Sequence, residues 1–588
     1  MITTSTESSA HVAPKGALWE PRNPNPSPPP SGLPRLIWEV MSARGFASEE
    51  DIQKWLSPSL KILRDPYALY DMEKAVQRLL KAREAQEPIV IYADYDLDGT
   101  SGCALLLKGF ELLGFKDVTF YQPKRLTEGY GLHNEAIQKL HEQGRKLLVS
   151  VDLGITAVEQ TELANRLGMD VIITDHHLPK EKLPDAIAVI NPNRGNCGSG
   201  LSHLCGTGVA FYLVLALRRA LLEEGKLAED FDPKALLDCF VIGTVTDMVP
   251  LIDENRVLVK HGLLQLAQTK RPGLRVLLQA LGLWGQPLTA QDVAIRFAPK
   301  LNALSRMEMG IMPIDLYLVQ DENEAHTLVE RVLSNNQTRQ ASQKSAEAEA
   351  MEAMRASPPR SAIFVYSKNF HRGVLGLVAT KLCQEFGLPT FVGGLDEEEG
   401  TIVGSARMPE GRGFNALDAM CTATEFLEQF GGHAVAAGFE LREENAAAFG
   451  AKMREYFSDK ITDVKPRTWI FDAEATLSEL SPAFMNWYEH MSPFGAQFAP
   501  PVFCVRNLKV TQLRPLKGGH FRLTLTDGNP QNVRTALWFS PPKTHPLAAS
   551  EFQDVARVDV LVEPQWNYYN GSRSLQLLVS DIKDSALS

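Results

Sequence analysis

Three features that would narrow the reading are missing from this 588-residue chain: paired cysteines, a long apolar run and an excess of positive charge. Its seven cysteines, at 103, 197, 205, 239, 383, 421 and 504, include no Cys-x-x-Cys spacing and leave one over. That argues against a disulfide framework or a zinc knuckle and fits a reducing compartment. No stretch reaches the ~20 apolar residues of a membrane span, and the opening residues hold no apolar leader core. The expectation is a cytoplasmic protein with no membrane partner. The net charge of -11 speaks against a general nucleic-acid coat but leaves room for a local basic groove. No internal repeat is visible. What is present is ordinary globular material, 44% hydrophobic and 22% charged, long enough for about three or four domains.

Residues 1–33 are rich in Ser and Pro, end in "NPNPSPPPSGL", and read as a loosely draped arm. From 34 to 321, short Val/Ile-rich runs ("EPIVIYAD", "KDVTFYQ", "KLLVSVD", "MDVIITD", "AIAVINP") alternate with helix-like stretches. This pattern predicts a parallel sheet with helices on both faces. Residues 322–357 begin a polar stretch without Gly or Pro up to position 356, which predicts one long linker helix bridging domains. A smaller α/β unit is expected over 358–462. Over 463–588 the alternating runs and Asn570-Gly571 predict a C-terminal β-barrel, with an OB-fold the best-fitting type. The fold class is therefore multidomain α/β.

Three strands end in acids. "IVIYAD" runs into Asp94, Asp96 and Asp98; "LLVSVD" ends at Asp152; "VIITDHH" supplies Asp175, His176 and His177. Parallel strands put these ends on one edge of a sheet, where ligands bind in open α/β folds. A further acid, Asp247, follows the apolar run of "CFVIGTVTDMVP". Any one of these acids could be a helix cap: Asp98 with its followers for a helix beginning near Gly102, Asp175 for the loop it opens. Coincidence at three strands favours a metal site. Carboxylates and imidazole without thiolate fit Mn²⁺ or Mg²⁺. One or two ions are expected, and two ions about 3.5–4 Å apart would suit phosphoester hydrolysis.

These residues carry a resemblance. "DYDLDG", "VDLG", "TDHH" and "GTVTDMVPL" match, in order, the four motifs of the DHH phosphoesterase superfamily. "RLTEGYGL", "INPNR", "GTGVAF", "ENRVLVKHGL" and "APKLNALSRM" resemble its bacterial RecJ branch. "FGGHAVAAG", "HRGVLGLVATKL" and "GSARMPEGRGFN" resemble the DHH-associated domain, and "SPFGAQFAPPVF" is similar to the segment that opens the family's barrel. The resemblance implies a DHH domain, a linker helix, a DHH-associated domain and an OB-fold. It implies a 5′→3′ single-stranded-DNA exonuclease using Mn²⁺ or Mg²⁺ in DNA repair and recombination, with a single-strand-binding protein and a helicase as partners. Carried over position by position, Asp94, Asp96, Asp98, Asp152, His176 and Asp247 are metal ligands, with Asp152 bridging. His177 contacts the scissile phosphate or assists the leaving oxygen, and Asp175 orients the histidines.

On the substrate side the resemblance implies that Arg407 and His433, with Ser405 and Gly432, hold the terminal phosphate, and that Arg125, Tyr130 and Arg306 line the strand's path. A surface charge is the plain alternative for each arginine, and a tight turn into a packed small-residue helix for "FGGHAVAAGF". Leu304, Ser305, Ala406 and Met408 depart from the family's pattern, which bears on substrate preference before hydrolysis. In the barrel, Val505–His545 holds seven basic residues (506, 509, 514, 517, 522, 534 and 543) against one acid, Asp527. Phe521, Trp538, Phe539, Trp566, Tyr568 and Tyr569 are interleaved or follow, a composition suited to single strands, although aromatics in a small barrel are more often core. The alternatives are a hydrolase of small phosphoesters or short oligonucleotides, and a non-catalytic DNA-binding replication scaffold.

Overall fold

Strand β1 (Leu18–Pro21) lies within the stretch expected to be a loose arm. It pairs in parallel with a strand far along the chain, Leu18 opposite Thr468 through Pro21 opposite Phe471, and Trp19 Nε1 donates to Asp581 at 2.8 Å. The arm expectation is thus corrected for these residues; a pairing so distant in sequence leaves no local pattern. The computed structural model describes residues 18–30, 32–227, 230–307, 310–461, 468–539, 541, 557–569 and 572–585. The chain divides into two units, one of Met1–Ser57, Asp459–Met491 and Pro500–Ser588, the other of Pro58–Ser458 with Ser492–Ala499. Helices Arg35–Ala43 and Glu49–Leu56, grouped by sequence with the α/β unit that follows, belong to the unit containing the barrel.

In the larger unit, β2 (Ile89–Ala93), β3 (Val118–Tyr121), β4 (Leu147–Val151), β5 (Asp170–Thr174) and β6 (Ala188–Ile190) form an all-parallel sheet in the order β3-β2-β4-β5-β6. Strands β2 and β4 are buried at every position, as near-continuous apolar runs in a sheet covered on both faces should be. Alternation assigns the faces. Ile89, Ile91 and Ala93 join the large core shared with helices Leu97–Leu112, Gly206–Glu223 and Leu237–Thr246, while Val90 and Tyr92 pack with Ile137, Leu140 and Ala164. Because β3 and β4 flank β2 on opposite sides, the strand order reverses at β2. A crevice outside the carboxyl ends is expected there, and those ends lead into Asp94 and Asp152.

The polar run forms one 35-residue helix, Glu322–Ala356, capped by Asp321. It packs against helices Ala298–Met307 and Leu375–Phe386. The second sheet contains β7 (Ile363–Ser367), β8 (Thr390–Asp396), β9 (Thr401–Arg407), β10 (Gln429–Gly432) and β11 (Ala436–Arg442) in the order β10-β11-β9-β8-β7; only the β7–β8 pair is parallel. "FGGHAVAAGF" makes the β10–β11 hairpin, so the small-residue helix offered as its plain alternative is not what forms. Small residues here admit close strand approach: a Cβ on Gly404 would come within 2.0 Å of the Phe439 ring.

In the other unit, β12 (Thr468–Phe471) is the partner of β1, and β13 (Ala473–Glu474) runs parallel to the start of β14 (Phe503–Leu516). Strands β14, β15 (His520–Thr526), β16 (Val533–Trp538), β18 (Ser572–Asp584) and β17 (Val558–Tyr569) follow one another, and β17 pairs back onto β14, closing a five-stranded barrel. Trp538 is buried and Phe539 exposed, which assigns the first to packing. Lys543 and Asn570-Gly571 lie outside the described residues. Residues Ser492–Ala499, expected to open the barrel, belong to the larger unit, where Leu251 donates its backbone N–H to Ala496 at 3.0 Å.

Candidate active site

The site is built where three parallel strands stop. After β2, Asp94 is buried, and Asp96 caps helix Leu97–Leu112, its Oδ1 accepting from the Asp98 and Gly99 N–H groups at 2.9 Å each. The helix therefore starts at Leu97, one turn earlier than expected, and its cap is Asp96 rather than Asp98. Asp98 turns inward and takes two backbone donors from the start of helix Gly206–Glu223, Gly206 at 2.7 Å and Thr207 at 2.9 Å. A helix N-terminus holds a carboxylate well because its first N–H groups have no partner within the helix.

Asp152, immediately after β4, has φ 63°. A non-glycine residue in the left-handed region stores strain, and Asp tolerates it better than most. Gly206 lies so close behind it that a Cβ there would sit 2.5 Å from the Asp152 Cβ. After β5, Asp175 is no helix cap but the hub of a turn. Its Oδ2 accepts from Ile155 N–H at 2.9 Å, and its Oδ1 from the His176 and His177 N–H groups and from His177 Nδ1 at 2.7 Å. Asn191 and Asn193 donate to the carbonyls of His177 and His176. The backbone of both histidines and the His177 ring are thereby fixed by neighbours that are not themselves in the cluster.

The result is a dense group. His176 Nε2 lies 3.1 Å from Asp152 Oδ1, 3.5 Å from Asp247 Oδ2 and 3.9 Å from Asp98 Oδ2. Three overlapping sets each bring ligand atoms within 4.8 Å of one another: Asp94, Asp96 and Asp152; Asp98, His176 and Asp247; Asp152, His176 and His177. Asp94 Oδ1, Asp152 Oδ1, His176 Nε2 and Asp247 Oδ2 are buried and make no hydrogen bond. Such atoms are costly to bury without a partner. Oxygen and imidazole donors with no thiolate among them suit Mn²⁺ or Mg²⁺, so these residues fit a divalent-cation centre.

Titration follows the crowding. Burial, then the charge of Asp96, pushes Asp94 up to about 8. Burial, then Asp98 and Asp96, pushes Asp247 up to about 9. Asp96 and Asp152 are also raised, by burial and then by neighbouring carboxylates. Burial lowers His176, which favours the neutral imidazole that a metal ion needs as ligand. For His177 burial pulls downward, but the Asp175 hydrogen bond and charge outweigh it and raise the imidazole to about 9. Tyr130 closes this side, its hydroxyl 3.3 Å from both His177 Nδ1 and the Asp152 carbonyl.

Arg125 stacks over the Tyr95 ring, 5.2 Å from its centroid. Burial lowers Arg306, and the next contributions come from Arg125, Arg339 and Arg407, so these guanidiniums share one region. Arg407 donates to Ser405 Oγ at 2.8 Å, both residues standing on one face of β9. Gly432 and His433 are at the exposed tip of the β10–β11 hairpin. That tip is tied to the end of β9 by register, with Ala436 opposite Arg407, and by the Met408 N–H on the Val435 carbonyl. No hydrogen bond joins the His433 side chain to the arginines among the described residues. Sequence reasoning gave no role to Tyr95, Gly206, Thr207, Gly243, Asn191, Asn193 or Arg339. The strings "DYDLDG", "GTGVAF", "GTVTDMVPL" and "INPNR" were the available signal for six of them.

Comparison with known proteins agrees with this layout. The DHH family N-terminal domain model matches residues 88–244, the DHHA1 domain model 360–459 and the RecJ OB domain model 471–581. The single-stranded-DNA-specific exonuclease RecJ of Escherichia coli (strain K12) is 32% identical over 583 residues, covering 94% of this chain and 96% of the relative. That of Bacillus subtilis (strain 168) is 32% identical over 560 residues, 94% of this chain and 68% of the relative. The crystal structure of RecJ in complex with Mn²⁺ from Thermus thermophilus matches with a TM-score of 0.76 at 26% identity, covering 93% of this chain and 76% of that one. The same fold is found in RecJ from that organism in complex with Mg²⁺, with a TM-score of 0.70 at 25% identity over 93% of this chain and 74% of that one. Fold and site together define a DHH-type α/β protein carrying a DHHA1 domain and an OB barrel. The chain belongs to the RecJ family.

Proposed function

We propose that this chain is a metal-dependent phosphodiesterase that removes mononucleotides from the 5′ end of single-stranded DNA, in DNA repair and recombination. The observation that carries the reading is the set of four buried, unpartnered ligand atoms on Asp94, Asp152, His176 and Asp247. Two structures of one relative, RecJ of Thermus thermophilus, hold Mn²⁺ and Mg²⁺. Asp94, Asp96 and Asp152 would hold one ion and Asp98, His176 and Asp247 a second, with Asp152 shared. A pair of such ions supplies Lewis-acid polarisation of a phosphoryl oxygen and a nucleophile at neutral pH.

The chain's own side chains do the rest. Asp175 pairs with His177 Nδ1, and its hydrogen bond and charge favour the protonated ring. His177 Nε2–H then donates to a phosphate oxygen, or passes its proton to the leaving 3′ oxygen. Tyr130 limits the ring's rotation. Arg125 and Arg306 take backbone phosphates, while Arg407, oriented by Ser405, and the Gly432–His433 tip take the 5′ phosphate. Within 34–321 the part from Pro58 onward serves catalysis, 322–357 connects, 358–462 recognises the end, and 463–588, with the helices before Pro58, guides the strand. The chain would act in the cytoplasm with a single-strand-binding protein and a helicase.

The test is hydrolysis of 5′- and 3′-labelled single strands with Mn²⁺, Mg²⁺ or EDTA, beside the double variant His176→Ala, Asp152→Ala. The expected result is metal-dependent release of mononucleotides from the 5′ end by the wild type alone. Binding without cleavage in every metal would replace this reading with a scaffold. Turnover of pyrophosphate or dinucleotides, with long strands untouched, would replace it with a small-phosphoester hydrolase.

A further inference from the structure

The connecting helix Glu322–Ala356 is polar, yet it is not simply solvated along its length: Asn335 and Asn336 are buried and Arg339 is half-buried. Buried polar groups in a stable fold have partners, and here the amides are partly spent on the arginine. Asn336 Oδ1 accepts from one terminal nitrogen of Arg339 at 3.3 Å, and Gln343 Oε1 accepts from the other at 2.8 Å. Gln343 is in turn anchored on Glu347 at 2.7 Å. The guanidinium is thus clamped from one turn before and one turn after it, by neutral groups. Its Nε is buried and makes no hydrogen bond. Of five N–H donors, three remain uncommitted.

The surroundings do not supply the missing acceptor. Helix Ala298–Met307, which carries Lys300 and Arg306, packs on the connecting helix. Arg306 experiences Arg125, Arg339 and Arg407, and Lys300 experiences Arg339, each as a like charge. Among the described residues no carboxylate pairs with Arg125, Arg306, Arg339 or Arg407. Arg125 is within reach of the Asp94 charge, but Arg306, Arg339 and Arg407 make no ion pair among the described residues, and like charges brought together repel more strongly when partly buried. A plain helix-surface arginine would extend into water or pair with an acid one turn away; this one is held inward by amides.

We propose that Arg339 is a phosphate-binding residue of the strand path, taking a backbone phosphate of single-stranded DNA beside Arg306. The connecting helix is then a wall of the path as well as a link. This rests on the exonuclease reading for its substrate class, and the test keeps the two apart. Arg339→Ala and Arg339→Lys are made in the full chain. Strand affinity in EDTA is followed over a salt series, and kcat and KM in Mn²⁺.

The expected result for Arg339→Ala is about a tenfold loss of affinity and a similar rise in KM, as for one charged hydrogen-bonded contact. The slope of log affinity against log salt should flatten by about 0.7, with kcat within about twofold. Arg339→Lys should recover the slope and part of the affinity, which a purely structural role would not produce. Should Arg339→Ala fold poorly, the Lys variant decides alone: unchanged affinity and KM would mean that the two-oxygen fork contacts no phosphate. Equal affinity and slope in wild type and Arg339→Ala would overturn the proposal. A wild type that binds strands, weakens with Arg339→Ala and never cleaves would overturn the exonuclease reading and leave this one standing.

Discussion

The acidic crevice and the arginine cluster lie in one unit and pose the same electrostatic problem with opposite sign, but they are held differently. In the crevice, Asp96, Asp98 and Asp175 are gripped by backbone N–H groups of helix starts and a turn. In the cluster, Arg339 is held by side-chain amides alone, and Arg407 by a serine hydroxyl together with the Ala406 carbonyl. Backbone groups move only with the fold, whereas side-chain acceptors such as the amide oxygens of Asn336 and Gln343 move with their rotamers. A cation centre needs ligands placed to a few tenths of an ångström, while phosphates of a sliding strand need charge that tolerates movement. The contrast indicates rigid chemistry on one side and adaptable grip on the other.

The largest effect is expected at His177. His177→Ala should lower kcat roughly a thousandfold while strand affinity stays near wild type; a parallel loss of affinity would place His177 in binding instead. Rigidity is tested at Gly243, where a Cβ would sit 2.2 Å from Thr207 Oγ1 and 2.8 Å from Asp98 Oδ1. Gly243→Ala should displace Asp98, and a shift of about 1 Å in such a site loses about a hundredfold in rate. Wild-type kinetics in that variant would show the crevice to be as forgiving as the cluster. On the basic side, Arg306→Ala should raise KM about tenfold with little change in kcat, read by steady-state kinetics on long single strands. A kcat effect larger than the KM effect would blur the division.

The smallest effect lies outside both regions. Burial, then Asp472, raises Glu563 in the barrel unit from 4.5 to about 7. The folded form therefore holds a proton that the unfolded form releases, so Glu563 makes stability fall as pH rises from about 4.5 through 7. Glu563→Gln should flatten that decline and unfold at higher temperature than wild type at alkaline pH. An unchanged pH profile of melting would count against it.

Much of the crevice was legible because its ligands sit at the ends of apolar runs: period and punctuation locate Asp94, Asp152 and Asp175 without tertiary information. The connecting helix was legible for the same reason, an uninterrupted run of helix formers from Glu322 to Ala356. What stayed hidden depends on distant approach. Gly206 and Gly243 stand in recognisable strings, but nothing local shows that they back Asp152 and Asp98, and nothing local joins Leu18–Pro21 to Thr468–Phe471. Arg339 resembles any arginine on a polar helix until its buried Nε and its arginine neighbours are seen. Asp96 shows that a plain reading and a functional one can share a residue: one oxygen caps the helix, and the side chain still belongs to a ligand group.

The central claim is that the crowded carboxylates exist to hold divalent cations. Its most direct test is the unfolding temperature of wild type and Asp152→Asn, each in EDTA and in Mn²⁺. Asn tolerates the left-handed backbone at this position, so the substitution removes charge without adding strain. The account predicts that wild type is stabilised by Mn²⁺, by about 2.7 kcal/mol at a hundredfold excess over its dissociation constant. Asp152→Asn should melt no lower than wild type in EDTA and gain little from the metal. A wild type indifferent to Mn²⁺, or a variant that gains as much, would contradict it.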